Sequence, residues 1–253
     1  RGQRKRVLDV LGREEMRILL VLFLSVGLYA DNEIYIDQTG DNGAIDIEQL
    51  GSSNIIGGAD AVAGQMTAAI LNGGSWVFDI NQIGSSNKFL TDGIYGDNFT
   101  GFFEFDGDSN EFIFSMDTTG LNSADFGDLN LDVTGSSNTF DVDIAESASS
   151  DYFDIDWTIL GDDNEFTIDI DSDYYTNFMD IFGDDNTLTL TKSGYGSSST
   201  DAGYFYLDLD GDDNTLTVTQ SSTLAADWLK IEGDASNSNI CIVQNDGGTT
   251  TTC

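Results

Sequence analysis

The segment FDIDWTILGDDNEFTIDI, residues 153–170, carries an apolar side chain at every second position on both sides of a polar bend. Phe153, Ile155, Trp157 and Ile159 lead into Gly161-Asp162-Asp163-Asn164, and Phe166, Ile168 and Ile170 follow. Period-two alternation means strands with one buried face. A helix needs a period of about 3.6, and this stretch has none. The parity survives the bend. Positions two, four and six before Gly161 are apolar, as are positions five and seven after it, and Asn164 shares their parity. Two strands therefore meet at the bend and face the same interior. That is a β-arch, not a hairpin whose strands pair with each other.

The bend recurs along the chain. Gly-[Ser/Asp]-[Ser/Asp]-Asn occurs at Gly51–Asn54, Gly84–Asn87, Gly107–Asn110, Gly135–Asn138, Gly161–Asn164, Gly183–Asn186 and Gly211–Asn214, with looser copies starting at Gly40 and Gly233. From Gly84 the steps between glycines are 23, 28, 26, 22, 28 and 22 residues. A period in the low twenties with variable insertions marks a solenoid. Glycine supplies backbone freedom at the bend, and an inward Asn would stack coil on coil as a hydrogen-bonded ladder. The fold expected is all-β: one β-solenoid of about nine two-strand coils, roughly 40 Å tall at a strand spacing of about 4.8 Å. The absence of proline agrees, because interior strands donate to both neighbours. Insertions gather at the second bend of each unit, and those near Gly93–Gly101 and Gly194–Gly203 read as contact loops.

The 253 residues hold 9 Lys+Arg against 45 Asp+Glu, a formal net charge of -36, with no His. Such a charge opposes nucleic-acid binding, which needs clustered Lys and Arg, and opposes docking on anionic lipid. The 40% hydrophobic content, once patterned, separates the chain from disordered acidic sequence. From Met16 the chain reads MRILLVLFLSVGLYA and turns polar at Asp31. A basic start, a short apolar run and a small residue at the junction have the layout of a secretory signal peptide over 16–30. Residues 1–15 resemble nothing downstream and read as upstream or non-native sequence. The solenoid is expected over 31–253, where Lys88, Lys192 and Lys230 are the remaining cations. An exported protein is expected outside the cell or on its surface, with no membrane insertion after signal removal. In that setting Cys241 and Cys253 would pair and staple the last coil.

The first repeats carry a more specific pattern. Gln38-Thr-Gly40, Gln49-Leu-Gly51-Ser-Ser-Asn54 and Gln82-Ile-Gly84-Ser-Ser-Asn87 follow Gln-x-Gly-x-x-Asn. Over residues 31–90 this resembles curlin repeats, the units of bacterial curli fibre subunits. The resemblance implies a secreted β-solenoid that stacks head to tail on copies of itself into extracellular amyloid-like fibres for adhesion or biofilm matrix, with a secretion or nucleation partner. From Gly107 onward the Gln position is apolar (Phe105, Val133, Ile159, Ile181, Leu209, Ile231), while Gly and Asn persist. The competing reading is a non-polymerising surface adhesin or phage-type fibre module that binds glycans through its variable loops.

Three bends carry acid pairs, Asp162–Asp163, Asp184–Asp185 and Asp212–Asp213. Stacking would crowd these carboxylates, and Ca²⁺ would relieve the repulsion. A solvated, salt-screened acidic edge is the preferred reading, with no cofactor. Thr187-Leu-Thr189-Leu-Thr191 and Thr215-Leu-Thr217-Val-Thr219 form an outward Thr array of the kind found on ice-binding faces, but it spans two coils only. Catalysis is not expected. Without His there is no Ser-His or Cys-His pair, and outward acids lack the burial that tunes a catalytic carboxyl.

Overall fold

The computed structural model of the chain describes residues 33–39, 42–59, 66–67, 69–72, 74–95, 98–116, 126–144, 152–171, 175–194, 204–222 and 228–245. The expected targeting segment, 16–30, and residues 1–15 lie outside them. The strands are β1 (Glu33–Tyr35), β2 (Asp37–Thr39), β3 (Gly43–Leu50), β4 (Ile55–Ala59), β5 (Met66–Thr67), β6 (Ala69–Asn72), β7 (Ser75–Ile83), β8 (Lys88–Tyr95), β9 (Asn98–Asp106) and β10 (Glu111–Met116). They continue with β11 (Phe126–Thr134), β12 (Thr139–Ile144), β13 (Tyr152–Leu160), β14 (Glu165–Ile170), β15 (Tyr175–Phe182), β16 (Thr187–Gly194), β17 (Tyr204–Asp210), β18 (Thr215–Ser222), β19 (Trp228–Glu232) and β20 (Asn239–Asn245). No helix occurs among the described residues.

Odd and even strands separate from β7 onward. One sheet runs β3-β7-β9-β11-β13-β15-β17-β19; the other runs β1-β4-β8-β10-β12-β14-β16-β18-β20, with β2, β5 and β6 at its irregular end. Each arch sends its two strands to different sheets, and pairing between coils is parallel. The molecule is a β-solenoid of about six complete turns, fewer than the nine coils expected. The outermost repeats account for part of the difference. The crossing near Gly40 runs from β2 to β3, out of the sheet that the other bends enter, so it is not an arch of the Gly-x-x-Asn type. At the two edges of the eight-stranded sheet, β3 and β19 each have a neighbour on one side only.

The interior is built from columns of like residues. Leu129, Ile155, Asn177 and Phe205 align across four coils, and Leu131, Trp157, Met179, Leu207 and Ile231 across five. In the facing sheet Phe89, Phe112, Phe140, Phe166, Leu188 and Leu216 form one column. The rings of Phe89 and Phe112 stack at 5.3 Å, and those of Phe140 and Phe166 at 4.8 Å. Such pairs add to what area burial alone supplies. Volume is balanced between neighbouring coils: a Cβ on Gly127 would lie 1.9 Å from the Phe153 ring. Gly101, expected in a contact loop, lies inside β9 and makes the same kind of room for Phe99 and Phe103.

Asn177 breaks the apolar column. It is fully buried, and neither its Oδ1 nor its Nδ2 finds a partner among the described residues. A buried amide left without partners costs about 1–3 kcal/mol. Asn177→Leu is therefore expected to raise the denaturant midpoint without changing the slope; an unchanged or lowered midpoint would show that the amide is satisfied in solution. Gly161 has φ 148°, and a Cβ there would sit 2.1 Å from the Gly135 carbonyl oxygen of the preceding coil. Gly161→Ala is expected to destabilise by more than about 2 kcal/mol through backbone strain and coil separation, measured by the same denaturation.

Candidate functional site: the stacked arches and the open ends

Each regular arch uses its four residues differently. The glycine takes a positive φ that L side chains avoid. The third residue is left-handed, with φ between 58° and 62° at Ser53, Ser86, Ser109, Ser137, Asp163, Asp185 and Asp213. The fourth, Asn, is buried at every arch from Asn54 to Asn214. Its Oδ1 accepts from the backbone N–H of the Asn one coil earlier: Asn87 from Asn54 at 3.0 Å, Asn110 from Asn87 at 2.9 Å and Asn138 from Asn110 at 2.8 Å. The series continues with Asn164 from Asn138, Asn186 from Asn164 and Asn214 from Asn186 at 2.9, 2.9 and 2.7 Å. The Nδ2 donates to a glycine carbonyl, of its own bend at Asn87 and Asn110, and of a preceding bend at Asn164, Asn186 and Asn214. One side chain thus satisfies backbone groups that the bend removes from the sheet ladders.

The second residue explains the Ser/Asp alternation. Its side-chain oxygen accepts from a backbone N–H of the next coil: Asp108 from Ser136, Asp162 from Asp184, Asp184 from Asp212 and Asp212 from Ser236, at 2.7–3.0 Å. Ser85 and Ser136 do the same for Asp108 and Asp162. Short acceptors are what the position requires. Asp162, Asp184 and Asp212 are thereby committed to the backbone, while Asp163, Asp185 and Asp213 stack outside them. Among the described residues no group of three or more acidic or cysteine side chains is placed to hold a metal ion.

The Gln ladder is short. Gln82 Nε2 donates to Gln49 Oε1 at 2.7 Å, and the column then meets Phe105, leaving Gln82 Oε1 without a partner among the described residues. Gln38 does not join it: its backbone pairs with Leu71 in the other sheet, because it precedes the reverse crossing. The last bend is also displaced. Asn214 N–H donates to Ser238 Oγ, Asn237 takes the left-handed φ of 55°, and Gly211 N–H donates to the Asp234 carbonyl. Ala235–Ser238 is therefore the bend. Gly233 lies two residues early, over Leu209, and Ile231 sits over Leu207 instead of continuing the Leu209 column. Parity alone could have found three buried polar residues. Asn177, Lys192 and Gln220 all fall on inward positions of the count from glycine, and all are buried.

Among the described residues nothing is stacked on either end. Ile240 and Ile242 continue the inward columns of Leu216 and Val218, yet are 46% and 44% exposed, and no described coil covers them. At the opposite end Ile34, Ile36, Ile45 and Ile47 are only partly buried. Cys241, on the outward side of β20 opposite Thr217, is disulfide-bonded; the other cysteine, Cys253, lies outside the described residues. The Thr array is in register, Thr187, Thr189 and Thr191 facing Thr215, Thr217 and Thr219. It is bounded by Glu165 and Asp169 on one side and by Asn239 and Val243 on the other. No family model, curated protein or solved structure matches this chain.

Like charges govern the electrostatics. Desolvation, then Asp163 and Asp213, then Asp184 and Asp162, raise the Asp185 carboxyl above the ordinary aspartate value. Desolvation, then Asp128 and Asp156, raise Asp154. Desolvation, then Asp210 and Asp180, raise Asp208. A carboxyl whose pKa is raised by folding favours the folded state once protonated, and that contribution is lost as pH rises through the raised value. Glu232 acts oppositely, because hydrogen bonds from Lys230 and Tyr206 lower it. The contributions of Asp154, Asp185 and Asp208 are therefore expected to raise the melting temperature as the pH falls from 7 through their raised values, with Glu232 opposing them. The gain should shrink in the Asp154→Asn, Asp185→Asn, Asp208→Asn triple variant. A wild-type melting temperature that falls over this interval would contradict the reading.

Proposed function

We propose that the chain is a secreted structural protein that self-associates end to end into extracellular amyloid-like fibres, serving adhesion or a biofilm matrix. The observation that carries this reading is the pair of open ends. Among the described residues, edge strands β19 and β20 at one end, and β3 and β1 at the other, have a neighbouring strand on one side only. Beside those edges, the incompletely buried isoleucines of each end occupy positions that a further coil would bury. Continuing the stack with a second copy buries both sets at once and extends the parallel ladders as cross-β. The net charge of -36 opposes this at low salt and is screened within about 8–10 Å at physiological ionic strength. A secretion or nucleation partner would supply the first edge.

The disulfide at Cys241 favours a second reading, a non-polymerising adhesin or phage-type fibre module, because a covalent tie on edge strand β20 competes with strand addition there. In both readings the chain does no catalysis.

Electron microscopy with an amyloid-binding dye separates the two. Residues 31–253 incubated in about 0.15 M salt are expected to form unbranched fibres. The Ile240→Asp, Ile242→Asp variant should fold to the same spectrum and remain monomeric, since both side chains sit at the end of the stack, 46% and 44% exposed in the single molecule. Wild-type protein that stays monomeric and dye-negative under these conditions would defeat the fibre reading.

A further inference from the structure

On the outer face of the eight-stranded sheet, positions that hold Asp128, Asn130, Asp154 and Asp156 in the middle coils become aromatic toward the C-terminal end. Tyr204 and Trp228 follow Thr176 in one outward column; Phe178 and Tyr206 precede Lys230 in the next. Trp228 is 65% exposed and Phe178 41% exposed. Ring centroids lie 5.7 Å apart for Phe178 and Tyr204, 6.0 Å for Phe178 and Tyr206, and 6.0 Å for Tyr204 and Trp228. A third outward column, Asp180, Asp208 and Glu232, runs alongside. The rings contribute nothing to the interior, whose columns they face away from. Exposed rings in contact, rimmed by polar residues, mark a binding surface.

One cation already occupies part of this surface. Lys230 Nζ lies 4.7 Å from the centroid of the Tyr206 ring and 2.7 Å from Glu232 Oε2. Tyr206 donates its hydroxyl to the same carboxylate, which holds the phenol neutral with its pKa pushed up to about 12. An ammonium between a ring face and a carboxylate is a cation–π site with a counter-ion. Phe178 has an acid beside it without a lysine, Asp180 two residues along β15, and Tyr204 and Trp228 extend the row of rings.

We propose that this platform binds an amino-sugar polymer bearing free ammonium groups, a de-N-acetylated hexosamine chain. Two observations select it. Charge complementarity requires a cation, because the protein carries -36 and the adjoining column is all acid. The rings lie side by side on a sheet surface, so they present several neighbouring faces; the C–H faces of consecutive pyranose rings stack on such an array. A lysine-rich peptide has the charge but no flat faces to match. The rings lie on the outward face of β15, β17 and the edge strand β19 of the single molecule, so the site does not rest on fibre formation.

Tryptophan fluorescence reports the platform directly, because Trp76 and Trp157 are buried and Trp228 is exposed. The full chain is titrated with a glucosamine hexamer, with its fully N-acetylated counterpart and with hexalysine. The glucosamine hexamer is expected to shift Trp228 emission saturably and to bind more tightly than either control. Phe178→Ala and Tyr204→Ala should each weaken it roughly tenfold. Asp141→Asn on the opposite sheet should leave affinity within about twofold, and circular dichroism checks that each variant is folded. Lys230→Gln vacates the Tyr206–Glu232 position and should tighten binding. The proposal is overturned if the hexamer does not bind. It is equally overturned if hexalysine binds as tightly with no loss in the aromatic variants, which is the behaviour of non-specific polyanion attraction. Preference for the N-acetylated oligomer would also overturn it, by removing the ammonium from recognition.

Discussion

Every regular coil depends on a buried asparagine that answers for backbone groups the stacked bends leave unpaired. The arch takes three residues out of strand geometry, and a backbone group buried there without a partner would be costly. Asn resolves this because it carries an acceptor and a donor on one short side chain. The Oδ1 serves the preceding coil's N–H and the Nδ2 serves a glycine carbonyl. Asp lacks the donor, and Gln would reach past the bend. The glycine follows from the same constraint, since the coils approach so closely that a Cβ would strike the carbonyl below. Stability is then a sum over coils and their interfaces, as in other repeat proteins.

Much of this was legible in the sequence. Parity through the bend separates an arch from a hairpin, and recurrence of Gly-x-x-Asn separates a stack from a sandwich. What parity could not show is direction. Gln38 and Gly40 look like a first repeat, but the chain there passes between the sheets the other way. Gly233 looks like a last repeat, but the bend slides two residues to Ala235–Ser238, because Ser236, Asn237 and Ser238 can fill the acceptor, left-handed and ladder positions in order. Local pattern is degenerate where Ser, Asn and Gly are abundant, and only pairing with the neighbouring coil selects the register. The aromatic platform was missed for a different reason. Its members lie on three separate strands, β15, β17 and β19, and become a patch only once the register between those strands is known.

The surface and the ends place opposing demands on the molecule. Aligned acids repel along the outward columns, which keeps single stacks apart and raises several carboxyl pKa values. The ends carry apolar side chains that no described coil covers. If the stack grows end to end as proposed, solubility and growth are set by different parts of one coil, the outward and the inward positions of the same strands. Salt tunes the first and leaves the second nearly untouched.

Amide hydrogen exchange on the soluble single molecule tests the ladder most directly. The amides of Asn110, Asn138, Asn164 and Asn186 should exchange only through global unfolding, while those of β20 exchange through local opening at the free edge. Arch amides of the interior coils exchanging as fast as those of β20 would contradict the account, because the asparagine column would then not be holding the coils together.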